Sequence, residues 1–178
     1  MTNFKTWLEN TNDQPHSYAV VLLKLPDVLK NKINDFSKTK IQKKDLYEKE
    51  GGRETDSHVT ILYGLENNAI EKVKNKIKKF KKFPIKLGNI SKFDNKKEYD
   101  VLKIDIVGES LFQLNNLLKS IPHFSSYKEY RPHCTIAYIN KNTCENLIGS
   151  KALNHNHIMI KEVYFVDTNK KETRITLQ

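Results

Sequence analysis

The sequence predicts an α+β fold: two sheet-bearing lobes, helices over their outer faces, and a cleft where the inner faces meet. Three observations carry this. The same four-residue device occurs twice, as Ser57-His58-Val59-Thr60 and Pro132-His133-Cys134-Thr135. Each copy opens a β-branched, apolar run that ends in Tyr63 or Tyr138. Each half also sets a helical stretch before and after its motif strand. That is an internal duplication by pattern, with little identity beyond the motifs.

The elements follow in order. Residues 1–15 are polar and read as an appendage, where Phe4, Trp7 and Leu8 share the spacing of a short docked helix. Residues 16–178 read as one domain. Residues 17–25 are apolar enough for a buried central strand. Pro26 suits the first turn of a helix that sets Val28, Leu29, Ile33 and Phe36 on one face. Residues 37–57 form a long polar loop ending in Gly51-Gly52, and loops of that length are commonly functional or mobile. The first motif strand follows. Residues 67–80 predict a helix with Ile70, Val73, Ile77 and Phe80 as its buried stripe and a lysine run as its solvated face. Phe83, Ile85 and Leu87 alternate as a strand, as do Leu102, Ile104 and Ile106, with a charged turn at 94–98 between them. Residues 110–120 form a Leu-rich helix, the second motif strand comes next, and 143–153 suggest a short helix. Residues 157–167 and 173–177 close the chain as a hairpin around Asn169-Lys170.

Composition narrows the class. Among 178 residues, 38% are hydrophobic and 29% charged, and the mean hydropathy of −0.65 fits a highly solvated protein. No apolar run approaches the ~20 residues that span a bilayer. Residues 1–10 show no leader-like apolar core, so cytoplasmic residence is expected. Two cysteines, Cys134 and Cys144, make no disulfide framework. The net charge of +10 attracts anionic ligands, although abundant lysine is also the ordinary solvating choice. Arg53, Arg131 and Arg174 are the three arginines, the residue type suited to bidentate phosphate contacts.

On a strand, residues two apart share a face, so His58 projects with Thr60 and His133 with Thr135, while Val59 and Cys134 face away. Two imidazoles near neutrality can supply one base and one acid. Phosphodiester cleavage needs that pair, on the attacking and the leaving oxygen. The threonine hydroxyls can donate to non-bridging oxygens as charge develops. The sequence leaves open which histidine is the base. Metal ligation is the other use of paired histidines. His155 and His157 are a conceivable ligand pair, but no Cys or carboxylate stands beside them at zinc-site spacing, and His16, His123, His155 and His157 read as surface residues.

At these residues the chain resembles the 2H phosphoesterase superfamily, defined by two facing His-x-[Ser/Thr] motifs. Within it the nearest resemblance is to the phage anti-CBASS nucleases, which degrade cyclic oligonucleotide signals of bacterial immunity. The flanking text is Gly52-Arg53-Glu54, Tyr99-Asp100-Val101-Leu102-Lys103-Ile104-Asp105 and Arg131-Pro132. The resemblance implies a bilobal fold of two pseudo-symmetric antiparallel sheets. It also implies a metal-independent phosphodiesterase that needs no cofactor and takes cyclic di- or trinucleotides in the host bacterial cytoplasm. Catalytic roles fall on His58, Thr60, His133 and Thr135. The family's aromatic stack, tyrosine and glutamate match Phe93, Tyr18 and Glu162 by order along the chain, with Phe93 standing in place of a tryptophan. Packing or surface solvation is the competing reading of those three. No membrane and no obligate protein partner is implied. Two other functions stay open: an RNA-end-processing enzyme acting on 2′,3′-cyclic phosphates, and an RNA- or nucleotide-binding module without turnover.

Overall fold

The computed structural model describes residues 18–94, 98–124 and 129–178. The appendage 1–15 and the centre of the charged turn at 94–98 lie outside the described residues. Two four-stranded sheets carry the fold, and all their strand pairs are antiparallel. The first contains β1 (Ala19–Lys24), β2 (His58–Leu65), β7 (Glu162–Val166) and β8 (Glu172–Thr176), in the order β2-β1-β7-β8. The second contains β3 (Phe83–Phe93), β4 (Tyr99–Val107), β5 (His133–Asn140) and β6 (His155–Ile160), in the order β5-β4-β3-β6. Both motif strands are therefore edge strands of their sheets, and β2 and β5 lie against each other.

Among the described residues, three helices accompany the sheets: α1 (Asp27–Lys40), α2 (Ile70–Ile77) and α3 (Glu109–Leu118). Leu29, Ile33 and Ser37 form the buried stripe of α1, at helical spacing, with Phe36 partly buried beside them. Val28 was expected on that face but is 78% exposed, because it lies one residue, or about 100° of rotation, from Leu29. Val73 and Ile77 bury α2 as the spacing predicted, with Ile70 and Phe80 packed partly buried at its ends. One continuous core joins the helices to the outer faces of both sheets, so the two lobes share their interior.

Three expectations are revised. Residues 143–153 yield only a 3₁₀ turn at Glu145–Leu147, because the backbone of 149–150 bonds to Ile90 on β3 instead of continuing a helix. The strand expected at 157–167 is divided at Lys161: β6 belongs to the second sheet and β7 to the first, while the β7–β8 hairpin forms as expected. The long loop before β2 is an edge strap. Its backbone bonds β5 through Tyr47 N to Tyr138 O (2.9 Å), Tyr138 N to Gly52 O (2.7 Å) and Glu54 N to Ile136 O (3.0 Å).

The segment before β5 returns the arrangement. Phe124 N donates to Gly64 O on β2 at 2.8 Å, and the Tyr130 hydroxyl donates to Thr60 O at 3.1 Å. The helices obey the same exchange. The first-half helix α1 packs on β5, and the second-half helix α3 packs on β2, where buried Asn115 donates to Ile61 O at 2.6 Å. Each half thus closes the open edge of the other's motif strand, the position where unpaired backbone groups would be costliest.

Gly64 is the tightest point of this exchange. Its φ of +91° disfavours any Cβ, and a Cβ there would lie 1.6 Å from Phe124 O. Gly64→Ala is expected to destabilise the protein by about 2–5 kcal/mol, from backbone strain and overpacking together. Thermal denaturation followed by circular dichroism should show a fall of roughly 5–15 °C. An unchanged midpoint would mean that the segment before β5 does not press on β2 as described.

Candidate active site

The same irregularity follows both motifs. Between Leu22 and Val21 on β1, the partner β2 advances from Thr60 to Leu62. Between Lys103 and Leu102 on β4, β5 advances from Thr135 to Ala137. Each motif strand therefore carries one extra residue just after its threonine, a β-bulge. Strict alternation would turn Tyr63 away from Thr60. The bulge returns it to the threonine's side, where it joins Val20, Leu22, Val166 and Tyr164 in a small apolar cluster separate from the main core. The bulge in β5 treats Tyr138 likewise.

Cross-strand partners define each inner face. In the first sheet, Lys24 is opposite His58, and Leu22, Tyr164 and Arg174 run in a row from Thr60. In the second, Asp105 is opposite His133, Lys103 opposite Thr135 and Ser91 opposite Lys103. Val59 and Cys134 point into the core and are fully buried, as the alternation predicted.

The two histidines are held alike. His58 Nδ1 lies 2.6 Å from Asp56 O, and His133 Nδ1 lies 2.7 Å from Arg131 O. A carbonyl can only accept, so both Nδ1 atoms carry the proton, which makes Nε2 the exchanging nitrogen in each ring. The charges around the rings differ. His133 has its pKa lowered to about 4, chiefly by burial. The Arg131 carbonyl opposes that shift, Lys103 and His58 reinforce it, and Asp105 opposes it. Carboxylates accompany His58 itself. Burial raises the Glu54 pKa while the charge of His58 pulls it down. Burial also acts upward on Asp56, but the Lys30 hydrogen bond and the charges of Lys24, Lys30 and His58 hold it below the usual range.

The other anticipated residues are placed as follows. Phe93, the last residue of β3, meets the His133 ring edge to face at 4.8 Å between centroids, and the Lys103 ammonium sits 4.4 Å over the Phe93 ring. Tyr18 stacks on Phe124 (5.5 Å, 10° between planes) and meets Tyr63 at an angle of 78°. Glu162 starts β7 on the same face as Tyr164, accepts the Tyr164 hydroxyl, and lies 3.7 Å from Arg174 Nη1. The arginines turn to other work. Arg53 donates to Ile41 O (2.6 Å) and Ser37 O (3.4 Å) at the end of α1, and Arg131 pairs with Glu129 on the surface. Lys24, Ser91, Lys103, Asp105, Tyr164 and Phe124 were not anticipated. For β4 the signal was present: Lys103 and Asp105 are the polar alternates of Leu102, Ile104 and Ile106. A polar alternate reads as solvent-facing, and the pattern cannot distinguish open solvent from a cleft.

Two antiparallel sheets, each presenting a His-x-Thr pair on its edge strand, define the 2H phosphoesterase fold. A family model described as the 2′-5′ RNA ligase superfamily matches residues 25–172, and the chain belongs to that superfamily. Solved structures agree at the level of fold. A crystal structure described as a phosphoesterase superposes with a TM-score of 0.64 at 16% identity, covering 93% of this chain and 97% of the other. Escherichia coli LigT complexed with phosphate gives 0.60 at 14% identity, covering 93% and 96%. Kluyveromyces marxianus Usb1 with uridine monophosphate gives 0.58 at 11% identity, covering 90% and 98%. No curated protein sequence matches the chain. Among the described residues, no helix is long and apolar enough to cross a membrane.

Proposed function

We propose that this protein is a metal-independent phosphodiesterase that opens 3′–5′ linked cyclic di- or trinucleotides and so counters CBASS immunity. The observation that carries the enzymatic part is the pair of matched Nδ1–carbonyl latches, which give both motif histidines the tautomer needed for proton exchange at Nε2. The resemblance to phage anti-CBASS nucleases supports the choice of substrate.

In this reading His133, kept neutral, is the base, and His58, attended by Glu54 and Asp56, is the acid. His133 Nε2 takes the proton of a ribose 2′-OH. The O2′–P bond forms as the P–O5′ bond breaks. His58 delivers its Nε2 proton to the departing O5′, leaving a 2′,3′-cyclic phosphate and a 5′-OH. Water opens the cyclic phosphate with the two roles exchanged. Thr60 and Thr135 donate to the non-bridging oxygens, where loss of one such donor costs roughly 10²–10³ in rate. Tyr18, Phe93 and Glu162 serve nucleobase recognition.

A second reading is favoured by the superfamily match and by the fold likeness to Usb1 with uridine monophosphate: processing of RNA ends bearing 2′,3′-cyclic phosphates. One experiment separates the two. The protein is incubated in excess EDTA with cyclic di- and trinucleotides and with linear RNA ending in 2′,3′-cyclic phosphate, and products are read by mass. Opening of the cyclic oligonucleotides is expected. Activity confined to linear ends selects the second reading, and full loss in chelator reversed by Zn²⁺ or Mn²⁺ overturns the two-histidine mechanism.

A further inference from the structure

The two inner faces match in backbone but not in charge. Beside Thr60 the neighbouring strand presents Leu22; at the corresponding place beside Thr135 it presents Lys103. Lys103 is 6% exposed, and burying an ammonium is costly unless its donors are satisfied. They are satisfied by a built set. Its Nζ donates to Ser91 Oγ at 2.7 Å and to Asp105 Oδ1 at 2.5 Å, and Ser91 Oγ donates to the same Asp105 oxygen at 2.7 Å. The remaining direction is covered by the Phe93 ring, 4.4 Å from Nζ to centroid, a cation–π contact. The same ring stands perpendicular to His133. Four side chains from β3 and β4 thus converge behind one of the two histidines.

We propose that Lys103 is a positioning residue for the second motif: locked by Ser91 and Asp105, it fixes the Phe93 ring against His133 and holds its positive charge on the face that the imidazole shares. This rests on the two-histidine reading above and deepens it, because it makes two near-identical motifs unequal. The charged groups acting on His133 are Lys103 and Asp105 from β4 and His58 from β2, with Glu54, from the strap before β2, acting on Cys134 just beneath. The Lys103 charge repels an imidazolium, and Asp105 attracts one. A buried lysine here, where the first sheet has leucine, keeps the balance on the repulsive side.

The test is an NMR titration of the histidine Cε1–H resonances in the full chain without substrate, with His133 assigned through His133→Gln. Wild type should titrate near 4. Lys103→Met removes the repelling charge and leaves Asp105 unopposed, so the His133 midpoint should rise by about 1–2 pH units. Cross-peaks between Phe93 and His133 should weaken with it, and Lys103→Arg should restore the low midpoint. Asp105→Asn keeps the ammonium and removes the attraction, so the midpoint should fall or stay at its low value. A His133 midpoint unchanged in Lys103→Met overturns the proposal and leaves Lys103 a structural ion. If Lys103→Met does not fold, a midpoint that rises in Asp105→Asn overturns it equally. The titration involves no turnover, so it can fail while cyclic oligonucleotides are still cleaved, and the reverse.

Discussion

His58→Ala and His133→Ala are each expected to lose about 10²–10⁴-fold in turnover with the fold retained, the range for removing one positioned proton-transfer group. Both side chains are half-buried at the inner edges of the sheets and lie outside the core that joins the lobes, so their truncation leaves the packing in place. Circular dichroism should confirm the fold, and single-turnover rates with a cyclic dinucleotide should report the loss. The pH profile adds a sharper reading. A histidine whose folded pKa is about 4 stays an available base until the pH falls through that value, so the acid limb of kcat/KM should lie well below 6.5. His133→Ala should abolish that limb. The sign for stability is related: unfolded His133 takes up a proton below about 6.5 while the folded form resists until about 4, so acidification through that window favours unfolding. Retention of the wild-type rate in either variant would contradict the paired roles.

An all-deoxy cyclic dinucleotide is expected to bind and to resist cleavage. The proposed first step forms an O2′–P bond, and without the 2′-OH no nucleophile is supplied by the substrate. The two histidines cannot compensate, since they move protons and do not attack. Phe93→Ala should weaken capture of either analogue, by about 1–3 kcal/mol if the ring stacks on a base. A fall in kcat as well is expected from its contact with His133. Calorimetry for binding and mass analysis for products make the comparison. Cleavage of the deoxy analogue would replace the substrate hydroxyl with water as the attacking group.

The motifs, the helices α1, α2 and α3, and the buried faces of the strands were legible because each rests on local periodicity. Leu29 and Ile33, Val73 and Ile77, and Leu102, Ile104 and Ile106 announce their faces by spacing alone. What escaped depends on a partner strand. The bulges after Thr60 and Thr135 exist only in pairing with β1 and β4, so nothing local places Tyr63 and Tyr138 beside the motif residues. The division at Lys161 escaped for a similar reason: the residues on either side are good strand formers, and the choice of sheet is made by β3 and β1. Glu162 opens β7 just past that division, so its place in the first sheet is set by the same choice.

The exchange of straps and helices between the halves bears on how the protein is assembled. Each half resembles one member of a swapped pair, with its motif strand completed by backbone and side chains from the other. A half synthesised alone would leave β2 or β5 with an open edge, a site for unwanted pairing. Neither half is therefore expected to persist as an independent unit, and the two motif strands meet only once distant segments have closed on each other. Such non-local closure is the slow part of folding. It also makes the pairing of the two motifs a property of the completed chain, so a nascent or nicked fragment would carry one motif without the partner that the proposed mechanism requires.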